Sequence, residues 1–186
     1  MNAVIETIRK RRSIRFYEDK PVSKETLEVL LDAGNLAPTG SRQMWRFAVV
    51  TDKAFRQTLK EKALPRYEKW METFGSPEFR KIREPLDALD DPIYYGAPAV
   101  VFVIGTGPIV QADMPMVSEN IILAAESLGL GTCFAYFGQL PIDDAEVKAK
   151  LALKDGEAVC GPILVGYPSE NQPPATPKKP VEVTWI

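Results

Sequence analysis

The chain has 186 residues, a length that one domain with a buried core accommodates without a metal or disulfide staple. Its 23 Lys and Arg residues against 25 Asp and Glu residues give a net charge of −2, so no overall field draws the molecule to nucleic acid or to a membrane. The absence of histidine excludes Ser–His and Cys–His catalysis and the usual zinc sites, so an enzyme of this composition would take its chemistry from a cofactor.

The N-terminal part is predicted to contain two helices, a turn and a strand. A first helix follows Asn2, and a second begins after the N-cap residue Ser23 and ends near Gly34. The segment Ala37 to Trp45 has turn chemistry, and Phe47 to Val50 follows as a short strand. Charged residues in the first helix exclude an ordinary signal peptide, and we therefore expect a cytoplasmic protein.

A third helix is predicted to begin near Lys53, and the composition changes after it. From about Leu64 to Pro92 charges dominate and prolines recur. We interpret residues 64–92 as an inserted, lid-like segment. Its aromatic-rich stripe is more typical of packing than of a substrate site, and it consists of Tyr67, Trp70, Met71 and Phe74.

The C-terminal half is predicted to contain three strands and two helices. The valine-rich run Ala97 to Ile104 is typical of a central strand buried on both faces and is too short to span a bilayer. A helix over Met116 to Leu128, a strand over Thr132 to Phe137, a helix capped near Asp143 and a strand over Ala158 to Val165 follow. Helices and strands thus interleave around a mixed sheet.

The last segment, residues 166–186, holds five prolines and is not predicted to be helical. Its apolar end (Val181, Val183, Trp185 and Ile186) alternates like a strand, which favours an extended arm that docks on a partner subunit. The cysteines, Cys133 and Cys160, lie 27 positions apart in apolar segments, and we interpret them as buried structural thiols.

Basic residues are densest between Arg9 and Arg15, where five of seven positions carry Lys or Arg. With Ser13 among them they suit a phosphomonoester, although a solvated basic face or a nucleic-acid contact would give the same pattern. The loop from Ala37 to Gln43 offers backbone and hydroxyl donors, and Gly129 to Thr132 would let the backbone approach a flat ligand or simply end a helix. Lys178 and Lys179 in the tail would either close on a phosphate or remain solvated.

Taken in chain order, these segments resemble the nitroreductase family of FMN enzymes over nearly the whole chain. Two positions depart from the family loop, which usually has asparagine in place of Ser41 and proline in place of Met44. The segments that carry the resemblance are Arg11 to Tyr17, Ala37 to Trp45, Ala124 to Cys133, Val165 to Pro168 and Lys178 to Pro180.

The resemblance implies one α+β domain over residues 1–186, with a three-layer fold in which helices flank a mixed, mainly antiparallel sheet. It also implies a homodimer that exchanges terminal arms and holds two FMN molecules at its interface. NADH or NADPH would be the reductant and a nitroaromatic, a quinone or a similar small molecule the acceptor, in a ping-pong cycle. A flavin-storing protein, or a specialised dehydrogenase or dehalogenase on the same scaffold, is the alternative, and a nucleic-acid-binding module using Arg9 to Arg15 is a further one.

By the same resemblance, each part of the cofactor meets a particular group of residues. The phosphate and the pyrimidine edge would meet Arg11, Arg12, Ser13 and Arg15, with Lys178 or Lys179 closing on the phosphate. Gly131 and Thr132 would line the ring. From the other subunit, the flavin would meet the loop residues Pro38, Thr39, Gly40, Ser41 and Gln43. The flavin itself would carry the chemistry, so no catalytic side chain and no metal site is expected.

Overall fold

The computed structural model describes residues 2–40, 42–175 and 177–186. Side-chain caps mark the starts of five of the six described α-helices, as where Asn2 accepts from the amide of Ile5 and Ser23 from that of Thr26. In chain order the elements are α1 (Ala3–Lys10), α2 (Lys24–Asn35), β1 (Trp45–Val50), α3 (Lys53–Phe74), α4 (Pro77–Asp87), β2 (Ala99–Gly105), α5 (Val110–Ser127), β3 (Gly131–Phe134), a 3-10 turn (Tyr136–Gln139), α6 (Ala145–Lys150) and β4 (Ala158–Gly166).

The four strands form one sheet in the order β1-β2-β4-β3, with every neighbouring pair antiparallel. Within the described residues the one parallel pairing is an isolated bridge between Ser13 and Thr132. Strand β2 lies in the interior of the sheet and is buried along its whole length, as its valine-rich run predicted. The predicted α+β class with a mainly antiparallel sheet is confirmed.

Two hydrophobic clusters pack on the opposite faces of this sheet and make three layers. Because successive side chains of a strand point to opposite faces, Val101 and Val103 of β2 join one cluster while Val100 and Phe102 join the other. The first cluster is completed by α2 and α5, and the second by α3, α6 and the segment before β2. Helix α5 therefore lies against the sheet with one side free for other contacts.

The segment 64–92 is largely helical. Helix α3 continues through Pro65 to Phe74, and α4, which the sequence did not predict, follows after the cap Ser76. Tyr67 and Met71 are buried in the second cluster and Trp70 packs against it, so packing accounts for three of the four residues of the aromatic-rich stripe. The other end of the stripe is exposed at Phe74.

Several predicted boundaries were wrong, each for a tertiary reason. Strand β1 begins at Trp45, two residues early, because it pairs with Gly105 at the end of β2. Helix α5 begins at Val110 rather than Met116, since its buried stripe continues through the turn that contains Pro115. Strand β3 ends at Phe134 instead of Phe137 because the chain turns there and the amide of Ala135 donates to Pro162.

The remaining strand and helix ends lie within two residues of the expected ones. Beyond Gly166 the described residues form no strand other than the isolated bridge between Tyr17 and Pro168. Among the described helices, none combines the length and the apolar composition that crossing a bilayer requires.

Candidate functional site

The basic segment is seated on β3 through its backbone. Ser13 pairs with Thr132, and the amide of Ile14 donates to the Thr132 carbonyl at 2.8 Å. A Cβ added to Gly131 would lie 2.8 Å from both γ carbons of Ile14, so the missing side chain at Gly131 lets the two backbones approach. Gly131 and Thr132 are thereby brought to the same place as the predicted phosphate-binding residues.

Three of the four arginines of this segment, Arg11, Arg12 and Arg15, point to different surroundings. Arg11 lines an open cavity, whereas the Arg12 guanidinium donates to the Pro173 carbonyl in the tail. Arg15 lies over the ring of Tyr95, 5.9 Å from its centroid. The Nε atoms of Arg12 and Arg15 are buried and have no hydrogen-bond partner among the described residues. Thus five neighbouring basic residues do not act as one uniform charged patch.

The cavity beside Arg11 has a volume of about 280 Å³ and brings polar and apolar groups together. Arg11 Nε is 3.9 Å from Glu119 Oε1, and the two side chains are 26% and 53% exposed, so this is a weak, solvated ion pair. The cavity is lined by Arg11, Ser13, Pro115, Ser118, Glu119, Ile122, Thr132 and Phe134. Arg11 and the hydroxyls suit an anionic group, which Glu119 would oppose, and Pro115, Ile122 and Phe134 suit an apolar body attached to it.

The predicted loop lies elsewhere and is held by side chains. Thr39 Oγ1 is 3.1 Å from the Arg42 carbonyl and 3.1 Å from Asp113 Oδ2, so its hydroxyl can donate to either. The amide of Gln43 donates to Asn35 at the end of α2. Pro38 and Gly40 are exposed, and Ser41 lies outside the described residues.

Both groups of residues adjoin α5 on different sides. Asp113 meets the loop, and Glu119 meets Arg11 six residues later. At 3.6 residues per turn and 1.5 Å per residue, these two positions are about 9 Å apart along the helix and about 120° apart around it. Within one chain the loop residues that the structure describes do not line the cavity that contains Arg11.

The tail follows the basic segment and then leaves it. The Tyr167 carbonyl accepts from Glu18, and the Phe16 carbonyl accepts from Ser169 and Gln172. Lys178 and Lys179 are exposed, and within the described ranges no hydrogen bond or ion pair joins them to the basic segment. The structure therefore does not bring the tail lysines to the arginines within one chain.

Two buried ionisable groups beside the basic segment, Cys133 and Tyr17, have raised pKa values. Burial raises the pKa of the Cys133 thiol, although Arg15 acts in the opposite direction, and burial also raises the pKa of Tyr17 well above its ordinary value. Cys133 and Cys160 are free, and the described residues contain no group of side chains that could hold a metal. The interpretation of the cysteines as structural thiols agrees with this burial, which is complete at Cys133 and partial at Cys160.

Sequence reasoning missed Asn35, Asp113 and Glu119, which contact predicted site residues. Asp113 had a detectable signal, because it falls on the buried stripe of α5 beside Val110 and Val117, where a charged residue is unusual. That signal was lost because the helix was predicted to start at Met116. For Asn35 and Glu119, which are exposed polar residues, the sequence carries no comparable signal.

Comparisons by sequence and by structure both find oxidoreductases among known proteins. The Nitroreductase family profile matches residues 8–167. An NADPH-dependent oxidoreductase of Staphylococcus haemolyticus is 31% identical, over 96% of this chain and 70% of the relative. An NADPH-flavin oxidoreductase of Vibrio harveyi is 30% identical, over 98% and 72%. The crystal structure of a nitroreductase with bound FMN from Bacteroides fragilis has a TM-score of 0.77 at 28% identity and covers 100% of both chains.

Proposed function

The chain belongs to the nitroreductase family, and we propose that it is an FMN-dependent oxidoreductase that reduces small acceptors with NADH or NADPH. The observation that carries this proposal is the convergence of Arg11, Ser13 and Thr132 on one cavity with an apolar wall. The relatives support it, since one is named a flavin oxidoreductase and a solved one contains FMN.

The residues of the basic segment fit this cofactor. A guanidinium binds phosphate through paired, charge-assisted hydrogen bonds, and Arg11 with Ser13 offers such donors at the cavity. A buried donor without an acceptor costs about 1–3 kcal/mol, so ligand acceptors near the Nε atoms of Arg12 and Arg15 would stabilise the segment. We assign Arg11 and Ser13 to the phosphate, Arg15 to the pyrimidine edge, and Gly131 and Thr132 to the ring.

We further propose that a second copy of the chain completes the site. Helix α1 exposes Val4, Ile5 and Ile8, and the tail exposes Val181 and Trp185, the latter to 90%. Exposed apolar groups of this extent are typical of an interface. An arm-exchanged homodimer would cover them and would bring Pro38, Thr39, Gly40, Ser41 and Gln43 of one copy to the flavin held by the other. Lys178 or Lys179 would then close on the phosphate.

When bound, FMN takes two electrons from the nicotinamide and gives them to the acceptor, so that NAD(P)H, a proton and the oxidised acceptor become NAD(P)+ and the reduced acceptor. The absence of histidine is compatible with this reaction, because FMN would supply the redox chemistry and the protein would bind and orient the cofactor and the substrates. We propose a ping-pong order, in which NAD(P)+ leaves before a nitroaromatic or quinone binds. The reaction is expected in the cytoplasm.

The test is anaerobic reduction of the FMN-loaded protein followed by reoxidation with candidate acceptors. We expect NADH or NADPH to bleach the flavin absorbance, and a quinone or a nitroaromatic to restore it in repeated turnovers. Arg11→Ala protein should load less FMN, while Arg9→Ala, which removes an exposed charge outside the cavity, serves as the matched control. FMN that binds but is not reduced by either nucleotide would contradict the proposal in favour of flavin storage.

A further inference from the structure

Asp113 is a buried carboxylate at the base of the loop formed by residues 38–43. It is 4% exposed, lies in the first turn of α5, and accepts from Thr39 Oγ1 at 3.1 Å. We propose that Asp113 is a positioning residue that holds this loop in its cofactor-binding shape through the hydroxyl of Thr39. The inference rests on the proposed function, because it takes the loop as a flavin contact.

The Asp113 carboxyl and the Arg42 carbonyl are both acceptors for the single proton of the Thr39 hydroxyl, each at 3.1 Å. With either bond, the Thr39 oxygen faces other groups as an acceptor, and FMN carries matching donors in its ring N3–H and its ribityl hydroxyls. The two bonds differ in what they connect, because Arg42 belongs to the loop itself whereas Asp113 belongs to α5. The bond to Asp113 therefore anchors the loop to the helix.

The surroundings of the loop show why one bond can decide its shape. Residues 38–40, 42 and 43 have no regular secondary structure, so side chains and the chain that leads into α5 define their path. At Gly40 an added Cβ would lie 2.8 Å from Ile109 Cδ1, and after the loop the Met44 carbonyl accepts from Thr106. Among these contacts, the hydrogen bond between Thr39 and Asp113 ties the loop to α5.

The helix dipole favours an acidic residue in the first turn of α5, but burial of Asp113 opposes it. Burying a carboxylate costs free energy that a hydroxyl partner offsets less completely than a cation would. The described ion pairs include none with Asp113. An apolar residue would suit the buried stripe of α5 better, and the geometry therefore points to a role in orienting Thr39.

The experiment is a double-mutant cycle on FMN affinity. The variants are Asp113→Ala, Asp113→Asn, Thr39→Val and the combination of Asp113→Ala with Thr39→Val. The dissociation constant of FMN is measured by quenching of flavin fluorescence, and the visible circular dichroism of the bound flavin reports its surroundings. Asn120→Ala is the matched control, because Asn120 also lies on α5 but donates to Ala33 of α2 at 3.1 Å.

We expect Asp113→Ala to weaken FMN binding about tenfold, in line with the loss of a hydrogen bond to a charged group. Asp113→Asn keeps an acceptor oxygen and should stay within about threefold of the wild type, with the wild-type dichroism restored. If Asp113 acts through Thr39, Asp113→Ala should change the affinity less than about twofold once Thr39 is valine, because coupled residues are not additive. Asn120→Ala should lower thermal stability without changing FMN affinity.

Equal losses from Asp113→Ala in both backgrounds would overturn the inference, as would an affinity that Asp113→Ala leaves unchanged. A failure of Asp113→Asn to rescue would do the same. If Asp113→Ala protein does not fold, Thr39→Val against Thr39→Ser tests the same bond from the other side, and equal affinities of these two would overturn it. Wild-type protein that binds no FMN would contradict the proposed function instead, which is a distinct result.

Discussion

The basic segment and the loop, which are the two halves of the proposed flavin site, are held in place by different kinds of contact. The basic segment is paired to β3 through backbone atoms at Ser13 and Ile14, and the side chains of Arg11 and Ser13 line the cavity. The loop of residues 38–43 depends on side chains, since Thr39 bonds to Asp113 and Gln43 bonds to Asn35.

Because of this difference, a substitution should have a different effect in each half of the site. A side-chain change in the basic segment should remove one ligand contact and leave the segment in place. In the loop, a change of a single anchoring side chain should alter the shape of the whole half-site. The backbone pairing of the basic segment with β3 is sensitive to substitution at Gly131, because any side chain there would push the two backbone segments apart.

Gly131→Ala is expected to have the largest effect. The new Cβ would lie 2.9 Å from Ile14 Cβ itself, so no rotation of the isoleucine side chain relieves the contact. Overpacking of this kind costs about 1–3 kcal/mol, and we expect the unfolding free energy to fall by that amount and FMN binding to be lost. Urea unfolding and FMN titration measure both. Ser127→Ala, at an exposed position before β3, is the control, and normal FMN binding by Gly131→Ala would refute the backbone seat.

The arginines provide the next test, because they share one segment but not one role. Arg11→Ala should weaken FMN binding about 10- to 100-fold by removing charge-assisted hydrogen bonds, with little change in thermal stability. Arg12→Ala should weaken it less and should instead expose the tail to proteolysis, since Arg12 binds the Pro173 carbonyl. Affinity by fluorescence and cleavage by gel report these effects. Identical outcomes for the two variants would contradict the separation of roles.

Glu157 belongs to neither half of the proposed flavin site, so its substitution should change the free energy of unfolding and leave FMN affinity unchanged. It receives two hydrogen bonds from Arg46, at 2.9 Å and 2.7 Å, and these lower its pKa from 4.5 to about 2. A carboxylate whose pKa is lowered in the folded state stabilises the fold at pH values above its unfolded pKa. This stabilisation is lost as the pH falls from about 4.5 toward 2. Glu157→Gln should cost about 1 kcal/mol at pH 7 and should flatten the acid dependence of unfolding.

The control for that experiment is Glu28→Gln, which breaks the exposed pair of Lys24 and Glu28 on α2. Such surface pairs contribute about 0–1 kcal/mol, so this variant should retain the wild-type acid dependence. Because the Arg46–Glu157 pair lies outside the cavity, FMN affinity at pH 7 should be unchanged in both variants. An acid dependence of Glu157→Gln equal to that of the wild type would show that the pair does not stabilise the sheet.

Glu119→Gln should give the smallest effect and the opposite sign. Glu119 lies 3.9 Å from Arg11 in the same cavity and would repel a phosphate bound there. Removing a solvated charge of this kind is worth at most about 1 kcal/mol, so FMN should bind up to about fivefold more tightly, with the gain reduced at high salt. Weaker binding by Glu119→Gln would mean that the carboxylate itself contacts the ligand.

The elements with the most uniform hydrophobic pattern were predicted best. Strands β2 and β4 and the start of α3 were predicted within two residues, because long apolar runs and a clear cap mark them. Helix α4 and the first two turns of α5 were missed, since prolines at Pro85 and Pro115 argue against a helix that only tertiary packing shows to be continuous. The end of β3 depended on a contact with Pro162, far away in sequence.

For the candidate site, the sequence indicated the segments but not the direction of each side chain. Nothing in the run from Arg9 to Arg15 distinguishes the arginine that lines the cavity from the one that binds the tail. That distinction follows from the pairing of Ser13 with β3 and from the position of Pro173. The anchoring residues Asn35 and Asp113 could not be assigned for the same reason, because their partners are set by how α2 and α5 pack.

Native mass spectrometry of the protein purified in the presence of FMN tests the central claim most directly, because it counts chains and cofactors together. If a homodimer shares its two flavin sites, we expect one dominant species that contains two chains and two FMN molecules. This species should lose FMN in Arg11→Ala protein. A single chain without FMN under the same conditions would contradict both the cofactor and the shared site.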